Sequence, residues 1–203
     1  MTQNKLVIGI TGNSGSGKTT VAAMIEACGG YAINADIVAH RVMEPGKPAY
    51  KKIVAVFGPD ILGVHDKIDR KKLGIIAFND AKKRTQLEHI VHPLVIDEIL
   101  AETAAADTTF VGIDAVLLVE SGLHHHCDTV WLVTASAEAR LARITTRDGL
   151  DKASAESRMR NQRSTQPIAA IAHVIIYNDG DLKSLQSQVD SAIGRYRNPT
   201  ILR

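Results

Sequence analysis

Aromatic side chains are scarce, 4% of 203 residues with a single tryptophan, which argues against a platform for stacking the bases of single-stranded nucleic acid. Charge of one sign is scarce as well. Lys and Arg number 24 against 22 Asp and Glu, a formal charge of +2, and the basic residues are spread along the chain; nucleic acid is not an expected partner. Cys28 and Cys127 are the only cysteines and neither belongs to a C-x-x-C pair, so two buried, reduced thiols in the cytoplasm are expected rather than a metal knot. No apolar run reaches membrane length, and no basic stretch with an apolar one after it precedes the first strand, which points away from a membrane. Repeats and low-complexity tracts are absent. What is present is 45% apolar and 23% charged residues, enough for one buried core in a single domain with insertions.

The most informative stretch is Leu6 to Thr20, LVIGITGNSGSGKTT. An apolar strand runs into Gly12, Asn13, Ser14, Gly15, Ser16, Gly17, Lys18 and Thr19, which fits G-x-x-x-x-G-K-[ST] in full, and a helical stretch follows from Thr20 to Ala27, closed by Gly29-Gly30. Strand, phosphate loop and helix stand in the order the motif requires. The glycines let several backbone N–H groups face a polyphosphate, and the helix adds its positive dipole end. Lys18 supplies a point charge for the β/γ-phosphates, and the Thr19 hydroxyl suits a Mg²⁺ that keeps most of its water.

A second short strand, Tyr31 to Asn34, leads to Asp36 and a helix from Ile37 to Met43. Ligands of open α/β sheets collect at the carboxyl ends of the strands, so Asp36 is a candidate for catalysis, the bland alternative being a helix cap. From 44 to 106 the strand signal fades into helical segments: Ala49 to Phe57, Arg70 to Phe78 behind the cap Asp69, Ala81 to Ile90, and another opening at Pro93. About 60 residues exceed what a βαβ crossover needs, so an inserted helical subdomain covering the acceptor is expected. Thr109 to Glu120 is the longest apolar run and reads as a doubly buried strand interrupted by Asp114, a candidate partner of Mg²⁺, and ended by Glu120. His124, His125 and His126 are read as a loop, since consecutive side chains do not converge on one metal ion. After strand 4, Asp128 to Val133, Ser136 caps a helix with Arg140, Arg143 and Arg147 on one face, and a helix from Ser154 to Gln162 follows. These arginines read either as a lid closing on ATP or as a solvated basic face. Strand 5 is His173 to Tyr177 and the last helix Leu182 to Tyr196. The expected fold is α/β, a doubly wound five-stranded parallel sheet. Its core is 1–36, 107–135 and 170–203, with the insertion at 37–106 and a helical lid at 136–169.

These residues resemble the dephospho-coenzyme A kinase family over nearly the whole chain. The resemblance rests on Gly12 to Thr19, Asn34-Ala35-Asp36 with Arg41 and Glu44-Pro45-Gly46, Ile68 to Leu73, Leu87-Glu88 with His92-Pro93, Asp114 with Leu117-Leu118 and Glu120, Arg143 with Arg147 to Leu150, Gln162, and Asn178 with Gly180. It implies transfer of the γ-phosphoryl group of ATP to the 3′-hydroxyl of dephospho-coenzyme A with Mg²⁺, by a cytoplasmic monomer or weak homo-oligomer. Asp36 would take the hydroxyl proton, and Lys18, Arg143 and Arg147 would hold the transferring group. Gly12 through Thr20 with Asn178 and Gly180 would bind ATP, Asp36, Arg41, His92, Leu117 and Glu120 the acceptor, and Thr19 with Asp114 the metal. The chain departs from the family pattern at Asn34, Val116, Arg140 (glutamine is usual) and His173, and it lacks a lysine soon after Gln162. A nucleoside or nucleoside-monophosphate kinase is the alternative within kinases, and a nucleotide-binding module without transfer the alternative outside them.

Overall fold

The computed structural model describes residues 5–197. Five strands, β1 (Leu6–Thr11), β2 (Tyr31–Asn34), β3 (Phe110–Asp114), β4 (Thr129–Thr134) and β5 (Val174–Tyr177), form one sheet in the order β2-β3-β1-β4-β5. Parallel pairing sets Ile10 opposite Asp114, Thr11 opposite Leu132 and Thr134 opposite Tyr177, so the carboxyl ends of the central strands share one edge of the sheet. One face is covered by α1 (Lys18–Ala27) and α9 (Leu182–Arg197): Ile8, Ile10, Phe110, Trp131, Val133 and Ile176 pack on Val21, Ile25, Leu185 and Val189. On the other face the chain comes close to β1, because a Cβ on Gly9 would lie 2.8 Å from both Cys127 Sγ and Leu118 Cδ2.

Burial, with Asp128 adjoining, pushes the Cys127 thiol up to about 12 from an ordinary 9.0. A thiolate fraction about 10³-fold smaller than in the unfolded chain follows at pH 8, and the thiolate is the reactive form. Pulsed alkylation at pH 8 with peptide mapping should therefore find Cys127 far slower in the native protein than in urea. Equal rates would contradict its burial.

The apolar run from Thr109 is a strand only as far as Asp114. Its neighbour β1 ends at Thr11, and the β1–β3 ladder closes with Ala115 N–H donating to Ile10 O. Residues 116–122 turn instead, with Ser121 N–H on Leu117 O and Gly122 N–H on Val119 O, while Leu118 and Leu123 fill the core. Glu120 therefore sits in a turn, and Asp114 ends its strand rather than interrupting it.

Two compact units are distinguished, one running through Ile33 and resuming at Ala106, the other Asn34–Ala105. The second contains α2 (Ala35–Val42), α3 (Pro48–Phe57), α4 (Arg70–Asn79) and α5 (Ala81–Ala105). Asp69 caps α4, its carboxylate accepting from the N–H groups of Lys71 and Lys72. The break expected at Pro93 does not occur, and α5 continues through it for 25 residues. An interior proline costs about 3 kcal/mol, but Val91, Val95, Ile99 and Thr103 form one buried stripe across it, packed against α2, α3 and α4. In the first unit, α6 (Ala137–Asp148) is capped by Ser136 as its sequence indicates. Helix α7 (Lys152–Arg160) begins earlier than expected because Asp151 accepts from Ser154 N–H, and a short α8 (Gln166–Ala169) follows.

Candidate active site

The glycine-rich loop between β1 and α1 is held from outside by its carbonyls. Ser14 O accepts from Arg140 Nε at 3.0 Å, Gly15 O from an Arg143 guanidinium nitrogen at 3.2 Å, and Ser16 O from Asn178 Nδ2 at 2.8 Å. Asn13 O accepts from Ser16 N–H and, at 3.5 Å, from Lys18 Nζ. A trans peptide sets its N–H antiparallel to its C=O, so outward carbonyls turn the N–H groups of Gly15 and Gly17 the opposite way. The glycines are required by these approaches. A Cβ on Gly12 would stand 2.1 Å from Val133 O, on Gly15 2.8 Å from Arg140 O, and on Gly17 2.1 Å from Asn178 Nδ2, with φ of +146°, +79° and +98°. Gly15→Ala should cost at least about 1 kcal/mol of stability from backbone strain alone and weaken ATP binding as α6 is pushed off the loop. Thermal unfolding and an ATP titration read both, and two unchanged values would contradict the close packing.

At the amino end of α1, Lys18 is buried and the Thr19 hydroxyl donates to Asp114 Oδ2 at 2.9 Å. Strand pairing brings them together: β3 lies beside β1, so the residue ending β3 meets the helix that follows the loop. An open cleft of about 620 Å³ lies between Gly15–Thr20 and α6, whose Ala142, Arg143, Thr146 and Arg147 form the opposite wall. Helix α6 is fixed at its start, where Ser136 N–H donates to Asp179 at 2.7 Å; these Ser136 bonds, with the Arg143 charge nearby, hold the Asp179 carboxyl below its usual range. Arg143 also donates to Asn178 O at 2.8 Å. Arg147 is gripped by both oxygens of Asp148, at 2.7 and 2.9 Å, and reaches Ser14 Oγ at 3.3 Å. Asp148 is held low chiefly by that bond to Arg147, and Arg158 shares it from α7.

The remaining candidates occupy several places. Asn178 is buried against the loop, and neither it nor Gly180, which lies in the exposed turn after β5, is on the cleft wall. Leu117 is 41% exposed in the turn after β3, where Glu120 pairs with Arg163 at 3.2 Å. Arg163 O also accepts from Asn13 Nδ2. In the helical unit, Asp36 is exposed in the first turn of α2 while the Asn34 side chain accepts from Ile37 N–H, so Asn34, not Asp36, is the cap. Arg41 is engaged by Glu98 and Glu102 of α5 at 3.2 and 2.6 Å, and His92 lies on α5. The sequence does not mark Arg140 and Arg163 as loop contacts. The three-and-four spacing of arginines places Arg140 on one face of α6, but only the fold aims it at Ser14 O.

Residues 6–184 match the family model described as dephospho-CoA kinase. A dephospho-CoA kinase of Bacillus licheniformis is 40% identical over 196 residues, covering 95% of this chain and 98% of that protein. Among solved structures, a Thermus thermophilus protein aligns with a TM-score of 0.80 at 29% identity over 95% of this chain and 98% of that one. The dephospho-CoA kinase of Campylobacter jejuni aligns with a TM-score of 0.68 at 27% identity over 94% and 96%.

Proposed function

The chain belongs to the dephospho-CoA kinase family and is an ATP-dependent kinase of dephospho-CoA; we propose that it transfers the γ-phosphoryl group to the 3′-hydroxyl, with Gly12–Thr20 as the donor site and Asp36 as the base. Asp36 takes the proton as the hydroxyl oxygen forms its bond to the γ-phosphorus, and the bond to the bridging oxygen breaks to leave ADP. Lys18 and the inward N–H groups hold the β- and γ-phosphates, and Arg143 and Arg147 of α6 counter the charge spread over the transferring group. Arg147 exchanges part of its grip on Asp148 for phosphate oxygen. Thr19 and Asp114 offer two hard oxygens, the donor chemistry that Mg²⁺ takes. Bound there, the ion would neutralise charge on the nucleotide phosphates. Gly180 borders the adenine with the chain at Asn178, whose side chain is engaged by the loop, and Arg41, His92, Leu117 and Glu120 serve the acceptor. Neither cysteine is in a disulfide, which supports a reducing, cytoplasmic setting. No helix among the described residues is long and apolar enough to cross a membrane.

The observation that carries this reading is the Thr19–Asp114 hydrogen bond beside buried Lys18, next to a loop whose Ser14, Gly15 and Ser16 carbonyls are held by Arg140, Arg143 and Asn178. A coupled ADP-release assay over a panel of acceptors tests it. Dephospho-CoA should give the highest kcat/KM. Faster turnover of a nucleoside monophosphate would favour the alternative acceptor, and no ADP with any acceptor would overturn transfer altogether.

A further inference from the structure

Arg140 stands on the arginine face of α6, yet it does not line the cleft. Its guanidinium is spent elsewhere: Nε donates to Ser14 O at 3.0 Å, and a terminal nitrogen donates to Gln162 Oε1 at 2.5 Å. Asn178 makes the matching contact two residues along, from Nδ2 to Ser16 O at 2.8 Å. We propose that Arg140 and Asn178 are positioning residues that hold the phosphate loop in its anion-binding form before nucleotide arrives. The proposal rests on the reading of Gly12–Thr19 as the site of the ATP phosphates.

The loop's peptide planes are not equally constrained. The Gly15–Ser16 plane is fixed at both ends, by Arg143 on its carbonyl and by Asn13 O on its N–H. The Ser14–Gly15 and Ser16–Gly17 planes are different. Among the described residues their N–H groups have no protein acceptor, and their carbonyls are the ones that Arg140 and Asn178 hold. Rotation of either plane changes φ at Gly15 or Gly17, the torsions that glycine leaves nearly free, so the loop sequence by itself does not choose an orientation. A flipped plane would aim a carbonyl oxygen at the phosphates in place of an N–H. The two side chains supply the choice, and both stand on rigid elements. Arg140 lies on α6, pinned by Ser136 to Asp179, and Asn178 N–H donates to Thr134 O at the end of the sheet. Partial burial lowers the Arg140 pKa from its usual value, a sign that its charged donors are withdrawn from water, where a hydrogen bond is stronger.

Calorimetric titration of ATP and of ADP into the wild type, Arg140→Met and Asn178→Asp tests this. Methionine keeps the length of the stem without a donor, and aspartate keeps the shape of asparagine while setting an acceptor against Ser16 O. Each variant should lose at least about tenfold in affinity, the scale of one hydrogen bond involving a charged or buried partner. The loss should be the same for ATP and ADP, and the KM for dephospho-CoA at saturating ATP should stay put. Weakening of ATP alone would mean a direct contact to the γ-phosphate and overturn the proposal, as would unchanged affinity for both nucleotides or an equal rise in both substrates' KM. Should Arg140→Met fail to give a native circular-dichroism spectrum, Arg140→Lys is read by the same criteria. A wild type that binds neither nucleotide is a separate failure, that of the donor-site reading.

Discussion

Asp36→Asn lowers kcat by about 10²-fold or more and leaves ATP affinity close to that of the wild type, the scale of removing a general base. The substitution keeps the size of the side chain and a carbonyl oxygen and removes only the capacity to take a proton. Its structural cost is small, because the cap of α2 is already supplied by Asn34, whose side chain accepts from Ile37 N–H at 3.1 Å. What Asp36 adds to the helix is a negative charge in the first turn, worth about 0.3–1 kcal/mol at an exposed site. A stability change of that size with a large fall in kcat separates catalysis from helix support. Single-turnover kinetics at saturating ATP and acceptor, with thermal unfolding alongside, provide both numbers. An unchanged kcat would reduce Asp36 to a favourable first-turn charge.

Lys18→Ala acts on binding and chemistry together and should lower kcat/KM for ATP by about 10²–10³-fold, since a clamp on transferring phosphate is worth several kcal/mol in a partly dry site. Lys18 is 8% exposed, and its contact to Asn13 O, at 3.5 Å, is long for an N–H···O bond. A buried ammonium at the amino end of α1 is suited to meet phosphate oxygen. Alanine at the first position of α1 is a good helix former, so loss of the helix does not explain the defect. Lys18→Arg should not restore activity, because the planar guanidinium replaces a compact point charge in a tight space. Steady-state kinetics with varied ATP measure the loss, and a kcat/KM within a few-fold of wild type would contradict the role given to Lys18.

The phosphate loop, the β1 and β2 strands and the caps at Asp69 and Ser136 are legible in the sequence because each is a local matter. A glycine spacing, an apolar run or a side chain within three residues of the N–H it accepts does not need the rest of the molecule. Where the sequence misled, the deciding partner was distant. Residues 115–120 are apolar enough for a strand, but β1 beside them ends at Thr11 and the chain turns. Pro93 reads as a helix start, and only the stripe Val91, Val95, Ile99 and Thr103 shows that packing on three neighbouring helices outweighs one lost hydrogen bond. The site divides in the same way. The chemistry of Lys18, Thr19 and Asp114 follows from residue type and strand order, whereas the hold of Arg140, Arg143 and Asn178 on loop carbonyls depends on contacts 126 to 162 residues apart in sequence.

The central claim, that the γ-phosphoryl group of ATP moves to the ribose 3′-hydroxyl of dephospho-CoA, is tested most directly by the mass and phosphorus spectrum of the product. With Mg²⁺, ATP and dephospho-CoA, the acceptor should gain the mass of one phosphoryl group, and the new phosphate should be a monoester coupled to the ribose 3′ position, formed in equal amount with ADP. ADP formed without any gain in acceptor mass, or a phosphate at another position, would contradict the account.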